Sequence, residues 1–251
     1  MRIRLDAAMV KRGLVVSRSE ATRLVDDRMV SVSGSIAEKS SRLVSAGEPI
    51  EILKVRKYVS RGGEKLEGAL DVFGIDVNSR SAMDVGSSTG GFTDCLLRRG
   101  AARVFAVDVG RNQLHERIAS DPRVTWREGV NVRDMEPGDV PFPCSILVAD
   151  LSFISLTVVF PVLDRLVSPE SGFAPCEMVL LVKPQFEVGR LEASRGRGVI
   201  TDPGLHAQSV DKVRSCAAGF GWVERGLVES PIKGQDGNTE FLLHLAGPVR
   251  A

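Results

Sequence analysis

The 251-residue sequence predicts an α/β protein, with a Rossmann-like sheet of seven strands preceded by a small α+β domain. From Met83 onward, short apolar runs alternate with helical patterns, which is typical of a parallel sheet with helices on both faces. Before that point lie short amphipathic helices and strands, enough for a compact module with a thin core. We therefore place the two domains at residues 1–54 and 61–251, joined by a short basic linker at 55–60.

The N-terminal module begins with two predicted helices. The first covers residues 3–13 and places its apolar side chains on one face. The second starts at Ser17, where a Ser-Arg-Ser-Glu sequence has the form of a capping box. Residues 30–36 alternate between apolar and polar and turn at Ser33-Gly34, and another strand is expected at 49–53.

The larger domain begins with a helix that ends at Gly74. Two glycines weaken the start of this helix, within residues 60–66, which suggests that another group approaches closely there. A later helix is opened by Asp202-Pro203 and ends near Gly219. Strands are predicted at 82–85, 103–107, 123–127, 145–149 and 178–182, with an antiparallel pair at 222–228 and 240–245.

Charge is distributed unevenly along the chain. Residues 1–65 contain 14 Lys and Arg against 8 Asp and Glu, whereas the remainder contains 19 against 24. A basic N-terminal module in front of an acidic body suggests a domain that binds a polyanion. A solvated basic face would have the same composition.

The composition indicates a soluble, cytoplasmic protein. The apolar segments are far shorter than the ~20 residues of a membrane helix, and charges at Arg2, Arg4 and Asp6 exclude a signal peptide. The cysteines show no metal-binding spacing and are interpreted as buried thiols in a reducing compartment; they are Cys95, Cys144, Cys176 and Cys216. We predict no metal site.

A glycine-rich turn lies between the first strand of the sheet and the next helix. Glycines allow close approach of a ligand to the backbone, and the following helix start offers unpaired N–H groups. The spacing Asp-x-Gly-x-x-x-Gly resembles the first motif of S-adenosylmethionine-dependent methyltransferases; the alternative is a turn that only packs strand against helix. The candidate cofactor-binding residues here are Asp84, Gly86, Ser87, Ser88, Thr89, Gly90, Gly91 and Phe92.

Ligands of such sheets bind at the carboxyl ends of the strands. Asp108 follows the second strand, where a carboxylate can accept from both ribose hydroxyls of an adenosine, although it can also simply cap the next segment. Asn131 follows the third strand and can face the adenine edge. The candidate cofactor residues at these strand ends are Asp108, Val109, Asn131 and Asp150.

The N-terminal module resembles the S-four RNA-binding domain. The resemblance rests on Arg4-Leu5-Asp6, Gly13, Ser17-Arg18, Ala21, Leu24 and the Val30-x-Val32-x-Gly34 pattern, and the chain departs from it mildly at Arg28 and Ser33. It implies that helix-borne cations contact phosphates, which supply affinity without sequence information. The candidate RNA-binding residues are Arg4, Lys11, Arg12, Arg18, Arg23 and Arg61.

The whole chain is similar to the TlyA family, which joins an S-four domain to an FtsJ-type ribose methyltransferase domain. The similarity is carried by Ser60-Arg61-Gly-Gly-x-Lys65-Leu66, the glycine turn, Val107-Asp108-Val109-Gly110, Ala149-Asp150-Leu151-Ser152-Phe153-Ile154-Ser155, Leu181-Val182-Lys183-Pro184-Gln185-Phe186-Glu187 and Gly237-Asn238-x-Glu240. It implies a catalytic tetrad of Lys65, Asp150, Lys183 and Glu240. It further implies S-adenosylmethionine as cofactor, and cytidine 2′-hydroxyls in ribosomal RNA of the small subunit, the large subunit or both as substrate.

A ribose hydroxyl is a weak acid, so a base must take its proton as the oxygen attacks the methyl group. A lysine serves only as the free amine, which at pH 7 costs about 4 to 5 kcal/mol from a reference pKa of ~10.4. We assign Lys183 as the base; electrostatics also allow Lys65.

The competing class is non-enzymatic: an RNA-binding ribosome assembly factor, or a membrane-active protein, because members of the family were long called haemolysins. Ribosomal RNA or ribosomal subunits are the expected partners, no membrane partner is expected, and a monomer is favoured.

The Gly- and Arg-rich residues 189–198 can form a mobile loop over a substrate, in which Arg190, Arg195 and Arg197 contact phosphates. A solvated loop is equally consistent with the composition.

Overall fold

The protein is described from a computed structural model. The structure describes residues 2–26, 28–53, 57–167, 177–189, 192, 198–234 and 236–247. The chain divides into two compact units, Met1–Arg56 and Lys57–Ala251. Part of the predicted linker, residues 55 and 56, lies outside the described residues.

The first unit combines two helices with five short strands. Its elements are β1 (Arg2–Arg4), α1 (Leu5–Lys11), α2 (Arg18–Asp26), β2 (Val30–Val32), β3 (Ser35–Ile36), β4 (Leu43–Ser45) and β5 (Ile50–Ile52). The predicted helix over 3–13 was wrong at its start, because residues 2–4 pair antiparallel with β4 instead. The strand β4 was not predicted. Both errors have one cause, since pairing between segments distant in sequence overrides local helical periodicity.

The hairpin and the second helix of this unit are confirmed. β2 pairs antiparallel with both β3 and β5, with the turn at Ser33-Gly34. Only half of the predicted capping box forms: the Glu20 N–H donates to Ser17 Oγ at 3.1 Å, but the Glu20 carboxylate accepts from the Val16 N–H. Apolar side chains from both helices and from β2, β4 and β5 form one small core.

The second unit is built on a seven-stranded sheet, as predicted. Its strands are β6 (Ser81–Val85), β7 (Arg103–Asp108), β8 (Val124–Glu128), β9 (Ile146–Ala149), β10 (Glu177–Val182), β11 (Val223–Glu229) and β12 (Phe241–Ala246). They lie in the order β11-β12-β10-β9-β6-β7-β8. The pairs among β6 to β10 are parallel, and β12 is antiparallel to both of its neighbours. Each predicted strand agrees with the observed one to within a residue at either end.

Helices cover both faces of this sheet. They are α3 (Gly62–Phe73), α4 (Gly91–Arg98), α5 (Glu116–Ala119), α6 (Leu156–Leu166), α7 (Pro184–Glu187) and α8 (Pro203–Gly219). Alternate strand residues form two apolar cores: Met83 and Phe105 pack with α6 and α8 on one face, whereas Ala82 and Val104 pack with α3 and α4 on the other. Because successive side chains of a strand point to opposite faces of the sheet, each strand packs against helices on both faces.

The two glycines at the start of α3 are explained by packing. A Cβ on Gly63 would lie 2.2 Å from the Tyr58 ring, and a Cβ on Gly91 at the start of α4 would lie 3.0 Å from the Gly63 nitrogen. The close approach expected from the sequence therefore joins Tyr58, α3 and α4, and fixes the helix that carries Lys65.

Candidate active site

The four predicted catalytic residues form two ion pairs. Asp150 follows β9 and Lys183 follows β10, and Lys183 Nζ lies 2.5 Å from Asp150 Oδ1. Lys65, in the first turn of α3, places its Nζ 2.5 Å from Glu240 Oε2. Both lysines are buried, and their ammonium groups face carboxylates instead of water.

The strand register places the two pairs at the same end of the sheet. In the antiparallel pair of β10 and β12, Val182 lies opposite Phe241. Lys183, one residue after Val182, therefore lies at the same level as Glu240, one residue before Phe241. Glu240 is 3% exposed, and a Cβ on Gly234 would lie 2.5 Å from its Oε1, so a larger residue at 234 would displace this carboxylate. A buried charge is tolerated only when it is paired, which the Lys65 ammonium achieves here.

A cavity of about 460 Å³ opens beside the Asp150–Lys183 pair, at the carboxyl ends of β6, β7 and β9. Its volume lies within the range of ordinary small-ligand sites. Six of the predicted cofactor residues line it: Gly86, Ser88, Asp108, Val109, Asn131 and Asp150. The other six do not line it: Asp84, Ser87, Thr89, Gly90, Gly91 and Phe92.

The glycine turn brings β6 against the loop that follows β9. Gly86 has φ of +82°, and a Cβ there would lie 2.5 Å from the Asp150 carbonyl oxygen. The Asp150 N–H in turn donates to the Val85 carbonyl at 3.0 Å. Glycine is therefore required at position 86 both for its left-handed conformation and for the close approach of the Asp150 backbone, which this contact positions.

Asp108 and Asn131 combine capping with exposure to the cavity. The Asp108 carboxylate accepts from the Ser88 N–H at 2.8 Å and from the Gly110 N–H at 2.6 Å. Asn131 Oδ1 accepts from the Arg133 N–H at 3.1 Å. Each carboxylate oxygen has a second lone-pair direction, so Asp108 can still accept from a ligand hydroxyl.

Asp84 has a different position from the one predicted. It is fully buried within β6, where Oδ2 accepts from Thr93 Oγ1 at 2.5 Å. Within the described part of the chain, Oδ1 has no hydrogen-bond partner. Burial raises the pKa of Asp84 to about 7, and the Thr93 hydrogen bond only partly opposes this.

The sequence interpretation missed an aromatic pair beside the lysine. Phe153 is 91% exposed and has φ of +65°, which is strained for a bulky residue. Its ring centroid lies 5.2 Å from that of Phe186, and Lys183 Nζ lies 5.9 Å from the Phe186 ring. Both phenylalanines lie within the family motifs quoted in the sequence analysis, but no role was predicted for either of them.

The predicted RNA-binding cations of the first unit differ in their partners. Arg4 and Arg18 both reach Asp6 Oδ2 at 2.9 Å. Arg12 instead donates to three backbone carbonyls of the loop at 45–48. Among the described residues, the exposed Lys11 and Arg23 form no ion pair, and Arg61 of the second unit is likewise exposed. The predicted phosphate-contacting loop residues Arg190, Arg195 and Arg197 lie outside the described residues.

Within the ranges that the structure describes, no helix has the length and apolar character needed to cross a membrane.

The FtsJ-like methyltransferase family matches residues 58–246, and the S4 domain, the S-four module, matches residues 3–50.

Similar proteins extend over nearly the whole chain. The 16S/23S rRNA (cytidine-2'-O)-methyltransferase TlyA of Mycobacterium tuberculosis H37Rv is 43% identical over 97% of this chain and 90% of its own length. Hemolysin A of Brachyspira hyodysenteriae is 38% identical over 96% of this chain and 99% of its own length. A solved Streptococcus thermophilus structure that carries the name hemolysin has a TM-score of 0.74 at 38% identity, covering 99% of this chain and 89% of that one. The chain belongs to the TlyA family, in which an S4 domain precedes an FtsJ-like methyltransferase domain.

Proposed function

We propose that this chain transfers the methyl group of S-adenosylmethionine to the 2′-hydroxyl of a cytidine in ribosomal RNA. The observation that carries the proposal is the ion pair between the buried Lys183 and the partly exposed Asp150 at the wall of the cavity. A lysine at this position can take a proton from a weakly acidic hydroxyl when it is the free amine, and Asp150 orients it although a carboxylate favours the ammonium form. The name of the Mycobacterium tuberculosis relative, a cytidine-2'-O-methyltransferase, supports the same substrate.

The cavity fits an adenosine-containing cofactor. Asp108 offers carboxylate lone pairs for ribose hydroxyls, and Val109, 70% exposed, offers an apolar contact for the adenine. Asn131 keeps its amide N–H groups for the edge of the base. When bound, S-adenosylmethionine supplies an electrophilic methyl group, so the chain must orient the hydroxyl and accept its proton.

We assign Lys183 as the base. Neither lysine lines the cavity itself, but Asp150, the partner of Lys183, does, whereas Glu240, the partner of Lys65, does not. With the cofactor bound, Lys183 as a free amine would take the 2′-hydroxyl proton while the oxygen forms its bond to the methyl carbon and the methyl–sulfur bond breaks, its electron pair going to the sulfur. Lys65 and Glu240 hold a neutral pair beside it, which positions the substrate without adding net charge.

Phe153 and Phe186 offer a surface for the target base. Bases taken out of a helix stack on exposed aromatic rings, and each such contact is worth ~1–3 kcal/mol. An exposed ring near the proposed base suits a nucleotide whose ribose must reach Lys183.

The S4 unit supplies affinity for RNA in this proposal. Its exposed cations contact phosphates, with Arg4 and Arg18 held side by side on Asp6 and with Lys11 and Arg23 unpaired among the described residues. Phosphate contacts set register and strength but do not select the nucleotide, which is left to the second unit.

Equilibrium binding of S-adenosylmethionine, followed by tritium transfer to small subunits, large subunits and bare ribosomal RNA, tests the proposal. We expect cofactor binding and transfer to at least one of these substrates, with the label on a cytidine 2′-oxygen. Binding of RNA without transfer to any of the three would contradict the proposal and favour an assembly factor.

A further inference from the structure

Ser152 has no role in the function proposed above, yet its hydroxyl lies next to the proposed base. Lys183 Nζ donates to Ser152 Oγ at 2.9 Å and lies 2.5 Å from Asp150 Oδ1. Both partners come from the same loop after β9, and both line the cavity. One nitrogen is thus held between a carboxylate and a hydroxyl.

We propose that Ser152 is a positioning residue that directs the reactive nitrogen of Lys183 toward the 2′-hydroxyl. This inference rests on the proposed function. A free amine has two N–H groups and one lone pair. Ser152 Oγ accepts one N–H group of this nitrogen, and the Asp150 carboxylate oxygen 2.5 Å away repels a lone pair that points toward it. The lone pair is therefore left in the remaining directions, and a lone pair aimed in this way is what a general base needs.

The loop that carries Ser152 is held rigidly enough for this role. Its backbone packs on Gly86, where even a Cβ would collide with the Asp150 carbonyl, and Leu151 Cδ2 lies 3.0 Å from that same position. On the other side, Pro184 starts α7 directly after Lys183, and the Phe186 N–H donates to the Lys183 carbonyl at 2.9 Å. Donor and acceptor are therefore both fixed by backbone contacts.

A neutral hydroxyl is suited to this position. A second carboxylate would stabilise the ammonium form of the lysine, which cannot act as a base, whereas a hydroxyl orients the nitrogen with no added negative charge. Ser152 is exposed on its other side, so replacement leaves no cavity in the core.

The test compares Ser152→Ala and Ser152→Thr in the full-length enzyme, on the ribosomal substrate that the wild type methylates. Because the alanine variant no longer orients the Lys183 nitrogen, we expect kcat of Ser152→Ala to fall about tenfold or more. KM for RNA, S-adenosylmethionine affinity and thermal unfolding midpoint should stay unchanged. Ser152→Thr, which keeps the hydroxyl, should recover most of kcat, and Ser215→Ala on the exposed face of α8 is the matched control.

An unchanged kcat in Ser152→Ala overturns the inference, as does a threonine variant as slow as the alanine one. A loss confined to cofactor affinity or to the unfolding midpoint also overturns it, because it assigns Ser152 to ligand binding or to folding. If the wild-type enzyme methylates no ribosomal substrate, the proposed function itself fails, which is a distinguishable result.

Discussion

Each unit of the molecule contains a buried aspartate, and the two aspartates behave in opposite ways. Asp6 of the S4 unit is 3% exposed, and Asp84 of the methyltransferase unit is 0% exposed. The guanidinium groups of Arg4 and Arg18 hold the pKa of Asp6 well below its usual range. Asp84 has only the Thr93 hydroxyl as a side-chain partner among the described residues, and burial raises its pKa to about 7.

The difference shows that burial alone does not determine the charge of a carboxylate. Desolvation favours the neutral acid in both places, but two cations outweigh it at Asp6 and one hydroxyl does not at Asp84. The S4 unit thus anchors exposed cations on the buried Asp6, and the methyltransferase unit does the same at Asp94 with Arg98 and Arg117. Asp84 differs from both, because its side-chain partner among the described residues is a hydroxyl.

Removal of the proposed base should have the largest effect. In Lys183→Met we expect methyl transfer to fall roughly 10²- to 10⁴-fold, the usual contribution of a general base, while S-adenosylmethionine still binds. Single-turnover transfer and equilibrium cofactor binding measure the two effects separately. Lys65→Met is the matched control, and near-normal transfer by Lys183→Met with an inactive Lys65→Met would make Lys65 the base.

Asp84→Asn should change how stability depends on pH. Because the folded-state pKa of Asp84 is raised, its folded form prefers a proton, and the wild type loses stability as pH rises from about 4 to about 7. The variant lacks this titration, so its stability relative to wild type should grow by about 1.4 kcal/mol per pH unit in that window.

Urea unfolding at pH 5 and pH 8 measures the effect of Asp84→Asn. The exposed Asp26→Asn in α2 is the control and should leave the pH dependence unchanged. A constant difference between Asp84→Asn and wild type at both pH values would contradict the buried-acid interpretation.

Asp6→Asn should have a smaller effect of the opposite sign. Because the folded-state pKa of Asp6 is lowered, its stabilisation is present above about pH 4 and is lost as the pH falls further. We expect about 1–2 kcal/mol of local destabilisation at pH 7, since both arginines are partly exposed and solvent screens them. Hydrogen exchange of α1 and α2 amides measures it, and equal protection of wild type and variant at pH 7 would refute it.

The smallest effect is expected on RNA binding, where two arginines of the S4 unit, Arg23 and Arg12, should behave differently. Arg23→Gln should weaken RNA binding only modestly and lower the slope of log K against log salt by about one. Arg12→Gln should leave that slope unchanged, because its guanidinium already bonds the carbonyls of residues 45, 46 and 48. Fluorescence anisotropy across a salt series distinguishes them, and equal slopes for the two variants would show that Arg12 also contacts phosphate.

Much of the methyltransferase unit was predictable because its strands are short apolar runs that end at polar residues. The same rule located Asp108, Asn131, Asp150 and Lys183 at the strand ends. The strand pair β1 and β4 was not predictable, since neither segment has a strong local signal and each is stabilised by the other. The aromatic pair of Phe153 and Phe186 was missed for a related reason, because only the folded loop exposes the first ring.

The order of the elements, the sheet with its glycine turn, and the family can all be inferred from the amino-acid sequence, because local periodicity and spacing are properties of neighbouring residues. The pairing of the four catalytic candidates follows from the folded structure alone. Lys65 meets Glu240 and Lys183 meets Asp150 because strand register and helix packing bring together residues that are distant in the chain. The same contacts place the Ser152 hydroxyl on Lys183 and leave Asp84 Oδ1 without a hydrogen-bond partner among the described residues, and no spacing along the chain encodes either result.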